Sequence, residues 1–369
     1  TTALDSQSGE LQDYLQQVYQ DSVQNLNAEQ KLLFKNFLCK FKHVFSSSKT
    51  DIGRTHLMQH RINIKPGTAP IKSRPYRQPP AKREETRKQI QKMLDMDVIE
   101  PSTSAWSSPV VLCTKKDGSY RFAVDASKIN QVTIREAFSL PRIDDSLQAL
   151  QGKSGDRYYT KLDLSSAYWQ IPIHPDDRQY TAFTTYEGLF QFKVMWFGGT
   201  AAPGCFQRLM ETVLAGLNWR VCLCYLDDIL CYSDSFSEHL QHLGMILERL
   251  SEAGLKLSPK KCDLLQRKVK YLGFVVGQGI ETDPDKTKVI RDWKIPTNVT
   301  ELKSFLGTSS YYCSFLPSYS EIAYPLNRLT QENVPFVFDQ TCIDAFQKLK
   351  DCLTSPPILA FPTDDGTYI

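Results

Sequence analysis

Two adjacent carboxylates in an apolar run are the residues of this sequence with the clearest chemistry. Asp227-Asp228 lie within Cys224-Tyr225-Leu226-Asp227-Asp228-Ile229-Leu230. Aspartates are common in hairpin turns because Asp tolerates turn dihedrals. Here, however, six mostly apolar residues precede the pair and four follow it. Strands of that kind are expected to be buried, and neighbouring carboxylates there are costly unless a cation neutralises them. Mg²⁺ does this with one or two carboxylates plus substrate phosphates. A two-metal phosphoryl-transfer centre, with ions roughly 3.5–4 Å apart, needs a further carboxylate from elsewhere in the chain. Asp163 is the candidate. In the alternating segment Tyr158 to Leu164, Leu162 and Leu164 face one way and Lys161 and Asp163 the other.

Other residues offer weaker chemistry. Lys115-Lys116-Asp117-Gly118-Ser119-Tyr120-Arg121-Phe122 reads as a hairpin whose basic turn and Arg suit a triphosphate. A solvent-exposed hairpin with Lys in its turn has the same sequence signature. His56 and His60 are four apart, as zinc ligands on a helix are, but no third ligand is evident and a structural role is expected. His239 and His242 are expected on the solvated face of a helix. Trp169 and Trp196 suit either stacking on nucleic acid or core packing. The ten cysteines include no C-x-x-C pair, which favours reduced residues over zinc ligands or disulfides and fits an intracellular compartment.

The elements that must position these residues follow from periodicity. Residues 10–45 read as helical, with Leu11, Leu15 and Val18, then Leu32, Leu33, Phe37 and Phe41, at helical spacing. Residues 65–80 hold five prolines interleaved with Lys72, Arg74 and Arg77, an extended basic arm. A helix is expected over about 81–97, then a hairpin from Ser108 to Val124. Gly198 to Leu217 opens with glycines and Pro203 and becomes a helix. Ser235 and Glu238 have capping-box spacing before the stripe Leu240, Leu243, Leu247, Leu250, and Gly254 ends that helix. A strand pair over Tyr271 to Ile280 gives way to mostly helical pattern from Asp285.

Composition sets the class. The chain has 369 residues, 41% hydrophobic and 23% charged, as in an ordinary globular protein of two to three packed units. No run approaches 18 apolar residues, so no membrane span is expected. Without an initial Met or a basic–apolar leader, the sequence reads as a piece of a longer precursor with no signal peptide. The net charge of +3 is unevenly spread. Residues 61–92 hold ten Lys or Arg against Glu84 and Glu85, and residues 256–294 hold ten against five acids. Such segments can track a phosphate backbone or form solvated helix faces.

Taken together, these segments resemble the reverse transcriptases of gypsy-type LTR retrotransposon Pol polyproteins. Tyr225-Leu226-Asp227-Asp228 matches their Y-x-D-D signature. Lys161-Leu162-Asp163-Leu164-Ser165-Ser166-Ala167-Tyr168-Trp169-Gln170-Ile171-Pro172 is similar to their first catalytic motif, and the two aspartate positions lie 64 residues apart as expected. Phe197-Gly198-Gly199-Thr200-Ala201-Ala202-Pro203-Gly204-Cys205-Phe206-Gln207 resembles the motif opening the template-contacting helix. Gly254 to Cys262 and Tyr271-Leu272-Gly273-Phe274 resemble the last two palm motifs.

The resemblance implies an α+β right-hand polymerase with an antiparallel palm sheet and a helical thumb. It divides the chain into an N-terminal helical segment (1–48), fingers (49–138 and 171–201), palm (139–170 and 202–280), thumb (281–357) and the start of an RNase H region (358–369). Asp163, Asp227 and Asp228 would be catalytic and hold two Mg²⁺, with Mn²⁺ as a substitute. Lys115, Arg121, Asp125, Tyr168, Phe197 and Gly198 would contact the nucleotide, Tyr168 as the ring that rejects a 2′-hydroxyl. Pro203, Gln207, Tyr225, Tyr271, Leu272 and Gly273 would contact template and primer. Lys260 or Lys261 would protonate the leaving pyrophosphate.

The implied partners are an RNA or DNA template with its primer, deoxynucleotides, and a second copy of the chain as a homodimer, with no membrane. Protease, integrase and RNase H regions of the polyprotein are expected outside this sequence, and Asp364 and Asp365 read as turn residues. The implied location is cytoplasmic, within virus-like particles. The chain departs from the usual wording at Trp196 (Pro), at Ala126 and Ser127 (an aromatic and Arg), at Ala201-Ala202-Pro203-Gly204, and at Cys313 and Ser314 (both Arg). These departures touch nucleotide and template contacts and bear on rate and fidelity. The competing class is a non-catalytic nucleic-acid-binding or assembly subunit of the same ancestry, against which the three aspartates argue. Bulky Tyr168 argues against an RNA-templated RNA polymerase.

Overall fold

The computed structural model describes residues 10–114, 118–135, 137–138, 140–150, 157–313, 316 and 318–354. They fall into two compact units. The first comprises residues up to Ser146 together with Tyr158–Gln266, and the second comprises Leu147–Arg157 and the chain from Arg267.

The first unit holds two sheets. The one that carries the aspartates has four strands, in the order Cys222–Tyr225, Asp228–Ser233, Tyr158–Asp163, Asp263–Gln266, with every neighbouring pair antiparallel. Its apolar side chains meet the helices Ala202–Val213 and Phe236–Glu252 and the N-terminal helices Asp13–Ser22 and Ala28–Phe41 in one core. Local signals set the helix boundaries. Asn27 and Gln30 form a reciprocal capping box. The Ser235 hydroxyl accepts from Glu238 N–H, and Gly254 at φ +71° ends that helix in the left-handed region.

The second sheet has five strands, in the order Ile99–Pro101, Gly188–Phe192, Phe183–Thr185, Ser108–Thr114, Tyr120–Val124. Its pairs are antiparallel except for a short parallel contact between Ser108–Pro109 and Phe183–Thr184. The helix Pro80–Asp95 covers it through Ile90 and Met93. Lys72, Arg74 and Arg77 are exposed along the extended arm.

The second unit has a three-stranded antiparallel meander, Val269–Tyr271, Phe274–Val276, Ile280–Thr282. Helices Pro284–Arg291, Val299–Ser310, Tyr319–Arg328 and Gln340–Thr354 complete it around Phe305, Leu326, Phe346 and Leu349. The meander thus clusters with the C-terminal helices.

Two expectations are corrected. In Ala28–Phe41 the buried stripe is Phe34, Leu38 and Phe41, while Leu32 and Leu33 are 55% and 40% exposed. Overlapping apolar stripes one residue apart have the same period, and packing selects between them. Phe34 stacks on Tyr19 and Phe37, which rotates the helix by one position. His239 is fully buried, with its ring nitrogens 2.7 Å from Thr160 Oγ1 and 3.2 Å from Ser233 Oγ. Polar strand residues beneath the helix give this imidazole partners, so it ties helix to sheet. Among the described residues no helix is long and apolar enough to cross a membrane. Six cysteines are buried, and none forms a disulfide.

Candidate active site

Asp163 and Asp228 are direct cross-strand partners at the ends of their strands. Residues opposed in this way have Cβ atoms about 4.5–5.5 Å apart on one face of the sheet. Asp227 lies next to them in the turn between Tyr225 and Asp228. Burial pushes the Asp163 carboxyl above its ordinary value. Lys261 opposes that shift, and the charges of Asp227 and Asp228 add to it. Burial also raises Asp227, again with repulsion from Asp228.

Two lysines offset this charge. Lys261 Nζ lies 3.0 Å from Asp163 Oδ1, and Lys161 Nζ lies 3.0 Å from Asp228 Oδ1. Lys161 precedes Asp163 by two residues and so emerges on the same face, diagonal to Asp228. Lys260 is exposed. Among the described residues no three His, Cys, Asp or Glu side chains close around one point as an all-protein metal cage. The donor set instead suits a hard cation that takes one or two carboxylates and completes its shell with phosphate oxygens or water.

The aspartate turn is held from behind. Leu226 occupies the left-handed region at φ +53°. Its N–H donates to Gln207 Oε1 at 2.7 Å, and Gln207 Nε2 donates to Cys224 O at 3.3 Å. Gln207 is fully buried, so its placement differs from the template contact implied by the resemblance. Its helix faces the catalytic strands, and the turn uses both ends of the amide. Pro203, in the first turn of the same helix, and Tyr225 are half-buried.

Tyr168 sits on a 3-10 turn, Ala167–Gln170, that follows Ser166 at φ +50°. Its ring lies 4.9 Å from that of Phe197, which is 52% exposed, and 5.6 Å from buried Phe206. Burial raises its phenol, and the charge of Asp227 adds to that shift. Gly198 adopts φ +112°, and a Cβ there would lie 3.4 Å from Val124 O. Arg121, Trp169 and Phe197 line one cleft of about 210 Å³.

Asp125 accepts from Ser127 N–H at 3.1 Å, Ser127 Oγ at 2.5 Å and Tyr76 Oη at 2.9 Å. The Ser127 bonds hold its carboxyl below the ordinary range. It therefore fixes the start of a helix and the basic arm. Lys115 lies outside the described residues, as do Ser314, Asp364 and Asp365.

The departures have structural counterparts. Trp196 is buried, stacks on Phe192 and meets His60 edge-on. A Cβ on Gly199 would lie 3.2 Å from its ring, so the missing side chain makes room for the indole. In the second unit, Leu272 and Gly273 turn the hairpin at φ +48° and +77°, and Tyr271 is buried. Tyr311 Oη donates to Leu272 O at 2.6 Å and Tyr312 Oη to Gly273 O at 3.3 Å. Sequence reasoning gave no role to the Lys161 ammonium, to Gln170, to Tyr76 or to these tyrosine contacts.

Residues 113–276 match the reverse transcriptase (RNA-dependent DNA polymerase) family. The chain is 36% identical over 310 residues to the retrovirus-related Pol polyprotein from transposon opus of Drosophila melanogaster, covering 79% of this chain and 31% of that protein. It is 33% identical over 355 residues to the corresponding polyprotein from transposon 297 of the same organism, covering 94% and 33%. The Tf2-3 transposon polyprotein of Schizosaccharomyces pombe is 34% identical over 291 residues, covering 79% and 22%. The chain thus spans a third or less of the length of these curated relatives. Among solved structures, a foamy viral protease-reverse transcriptase in complex with dsDNA superposes with TM-score 0.84 at 26% identity, covering 96% of this chain and 75% of that one. The same type of enzyme with an RNA/DNA hybrid gives 0.78 at 25% identity, covering 94% and 47%. The α+β fold is that of the right-hand polymerases.

Proposed function

Because the chain carries a reverse transcriptase domain related to those of LTR-retrotransposon Pol polyproteins, we propose that it is an RNA-directed DNA polymerase extending a primer 3′ end with deoxynucleotides. The observation that carries this is the cross-strand pairing of Asp163 with Asp228, with Asp227 in the adjoining turn, all three half-buried. The primer hydroxyl attacks the α-phosphate in line and pyrophosphate leaves. Two Mg²⁺ held by Asp163, Asp227 and Asp228 would lower the hydroxyl's pKa and offset the charge of the triphosphate.

The chain's own residues supply position and charge. Tyr168 packs beneath the sugar, where a 2′-hydroxyl would meet its ring. Arg121, with Lys115, takes the triphosphate, while Phe197 and Gly198 border the nucleotide. Pro203, Tyr225 and the turn Tyr271-Leu272-Gly273 guide template and primer. Lys261, released from Asp163, or Lys260 gives a proton to pyrophosphate. The reading assigns the chain to the cytoplasm, in virus-like particles.

Primer extension on an RNA template with Mg²⁺ tests the proposal. The wild type extends with deoxynucleotides and not with ribonucleotides. Asp227→Asn abolishes extension while duplex affinity stays within about twofold, because the carboxylate serves metal. Equal extension by both proteins overturns the reading. Weakened duplex binding with normal turnover favours the binding-subunit alternative.

A further inference from the structure

Gln170 is fully buried two residues after Tyr168, and its amide joins separate segments of chain. Its Nε2 donates to Ser165 O at 2.7 Å and to Lys256 O at 2.9 Å. Its Oε1 accepts from Lys256 N–H at 2.8 Å, and its backbone carbonyl accepts from Thr55 N–H at 2.8 Å. The side chain therefore uses both amide hydrogens and its oxygen on backbone groups on either side of the turn that carries Tyr168. Ser165 N–H also donates to Lys256 O at 2.9 Å, so two donors share that carbonyl.

The packing admits little displacement. A Cβ on Gly53 would lie 2.5 Å from Gln170 Oε1 and 2.6 Å from Gly254 O. Gly254 is at φ +71°, and a Cβ there would lie 2.5 Å from Arg54 O. Three strands of backbone thus meet around one carboxamide. The turn they fix begins at Ser166, a non-glycine residue in the left-handed region, a conformation held by its surroundings. The Tyr168 ring also meets Phe206, which is buried, and Phe197, which is exposed.

We propose that Gln170 is a positioning residue for sugar selection: by tying the Ala167–Gln170 turn to the 53–55 and 254–256 segments, it holds the Tyr168 ring where a ribose 2′-hydroxyl collides with it. This rests on the reading of Tyr168 as the sugar filter. Gln170 touches no substrate and acts through Tyr168 alone. Sub-ångström placement matters at such a filter, because a displacement of about 1 Å alters rates by up to about 100-fold.

The test is the ratio of ribonucleotide to deoxynucleotide kcat/KM in primer extension. Four proteins are compared: wild type, Tyr168→Ala, Gln170→Met and the double variant. Leu247→Ala, a cavity in the helix on the far side of the catalytic sheet, controls for lost stability. Gln170→Met is expected to raise the ratio roughly 10-fold, and Leu247→Ala to leave it unchanged. The double variant is expected to match Tyr168→Ala, because one residue acts through the other. A wild-type ratio in Gln170→Met, or additive effects in the double variant, overturns the proposal. An unchanged ratio in Tyr168→Ala itself overturns instead the sugar-filter reading beneath it. Should Gln170→Met fail to fold, Gln170→Asn keeps the amide but withdraws it from its partners, and it is judged by the same ratio.

Discussion

The amide of Gln207 spans the turn that presents Asp227, accepting from Leu226 N–H at 2.7 Å while donating to Cys224 O at 3.3 Å. Leu226 is a non-glycine residue at φ +53°, a conformation that costs about 1 kcal/mol and persists where neighbours enforce it. Gln207→Leu leaves both turn groups unsatisfied in a buried place. The expected result is a kcat lower by roughly 10- to 100-fold with duplex affinity held. Single-turnover extension together with duplex titration checks this. Loss of affinity at unchanged kcat would return Gln207 to the template-contacting role.

The Asp227 carboxyl lies above its ordinary range because burial penalises its charge and Asp228 repels it. A group raised in this way favours the folded state fully below its unfolded pKa, about 3.9, and that contribution is lost as pH rises through the folded value. Asp227→Asn is therefore expected to raise the melting temperature of the metal-free protein at pH 7 by roughly 1–2 °C. The gain should vanish below about pH 4. A lower melting temperature at pH 7 would show that attraction to Lys161 and Lys261 outweighs burial.

Two buried histidines bias stability the other way. Burial depresses His60 to about 4 and His239 to about 3, against 6.5 ordinarily. Their contribution is full above pH 6.5 and is lost as pH falls through those folded values, since the unfolded chain takes up the protons. Each adds a slope of up to about 1.4 kcal/mol per pH unit in that window. His239→Gln should flatten the fall in denaturant midpoint between about pH 6 and pH 4. An unchanged slope would mean that His239 titrates normally in the folded protein.

Duplex binding should weaken steeply with salt, because Lys72, Arg74 and Arg77 are exposed along the arm. Replacing all three with Ala is expected to reduce the slope of log K against log salt by about 2–3. The same slope in wild type and variant would place the arm away from the nucleic acid.

Legibility in the sequence followed the physics of each element. The alternation around Asp163 and the apolar run around Asp227-Asp228 exposed the strands and their carboxylates, because period and burial are local properties. The pairing that sets Asp163 against Asp228 is a register between distant segments; alternation named Asp163 as a candidate, and the family resemblance made it specific. Gln207 was legible only as an implied template contact, and Gln170 only as part of a motif. Their roles depend on which backbone groups the fold leaves without partners, which no local pattern encodes. His239 was misplaced for a similar reason: a helix face reads as solvated until Thr160 and Ser233 appear beneath it.

The seat of Trp196 against Gly199 bears on the order in which substitutions can accumulate. With a side chain at 199, an indole at 196 meets an atom 3.2 Å away, tighter than ordinary packing allows. With proline at 196, the residue that the family usually carries there, glycine at 199 removes little contact. A lineage that acquires the glycine first meets no crowding when the tryptophan follows, whereas in the reverse order the indole must shift by a few tenths of an ångström to share the site with a side chain at 199. Once both are present, neither reverts freely. Gly199→Ala presses on the ring by a few tenths of an ångström, and Trp196→Pro empties a large volume beside Phe192 and His60. The two positions are therefore coupled by direct contact, and a transplant of this stretch into a relative is expected to pack best when both residues travel together.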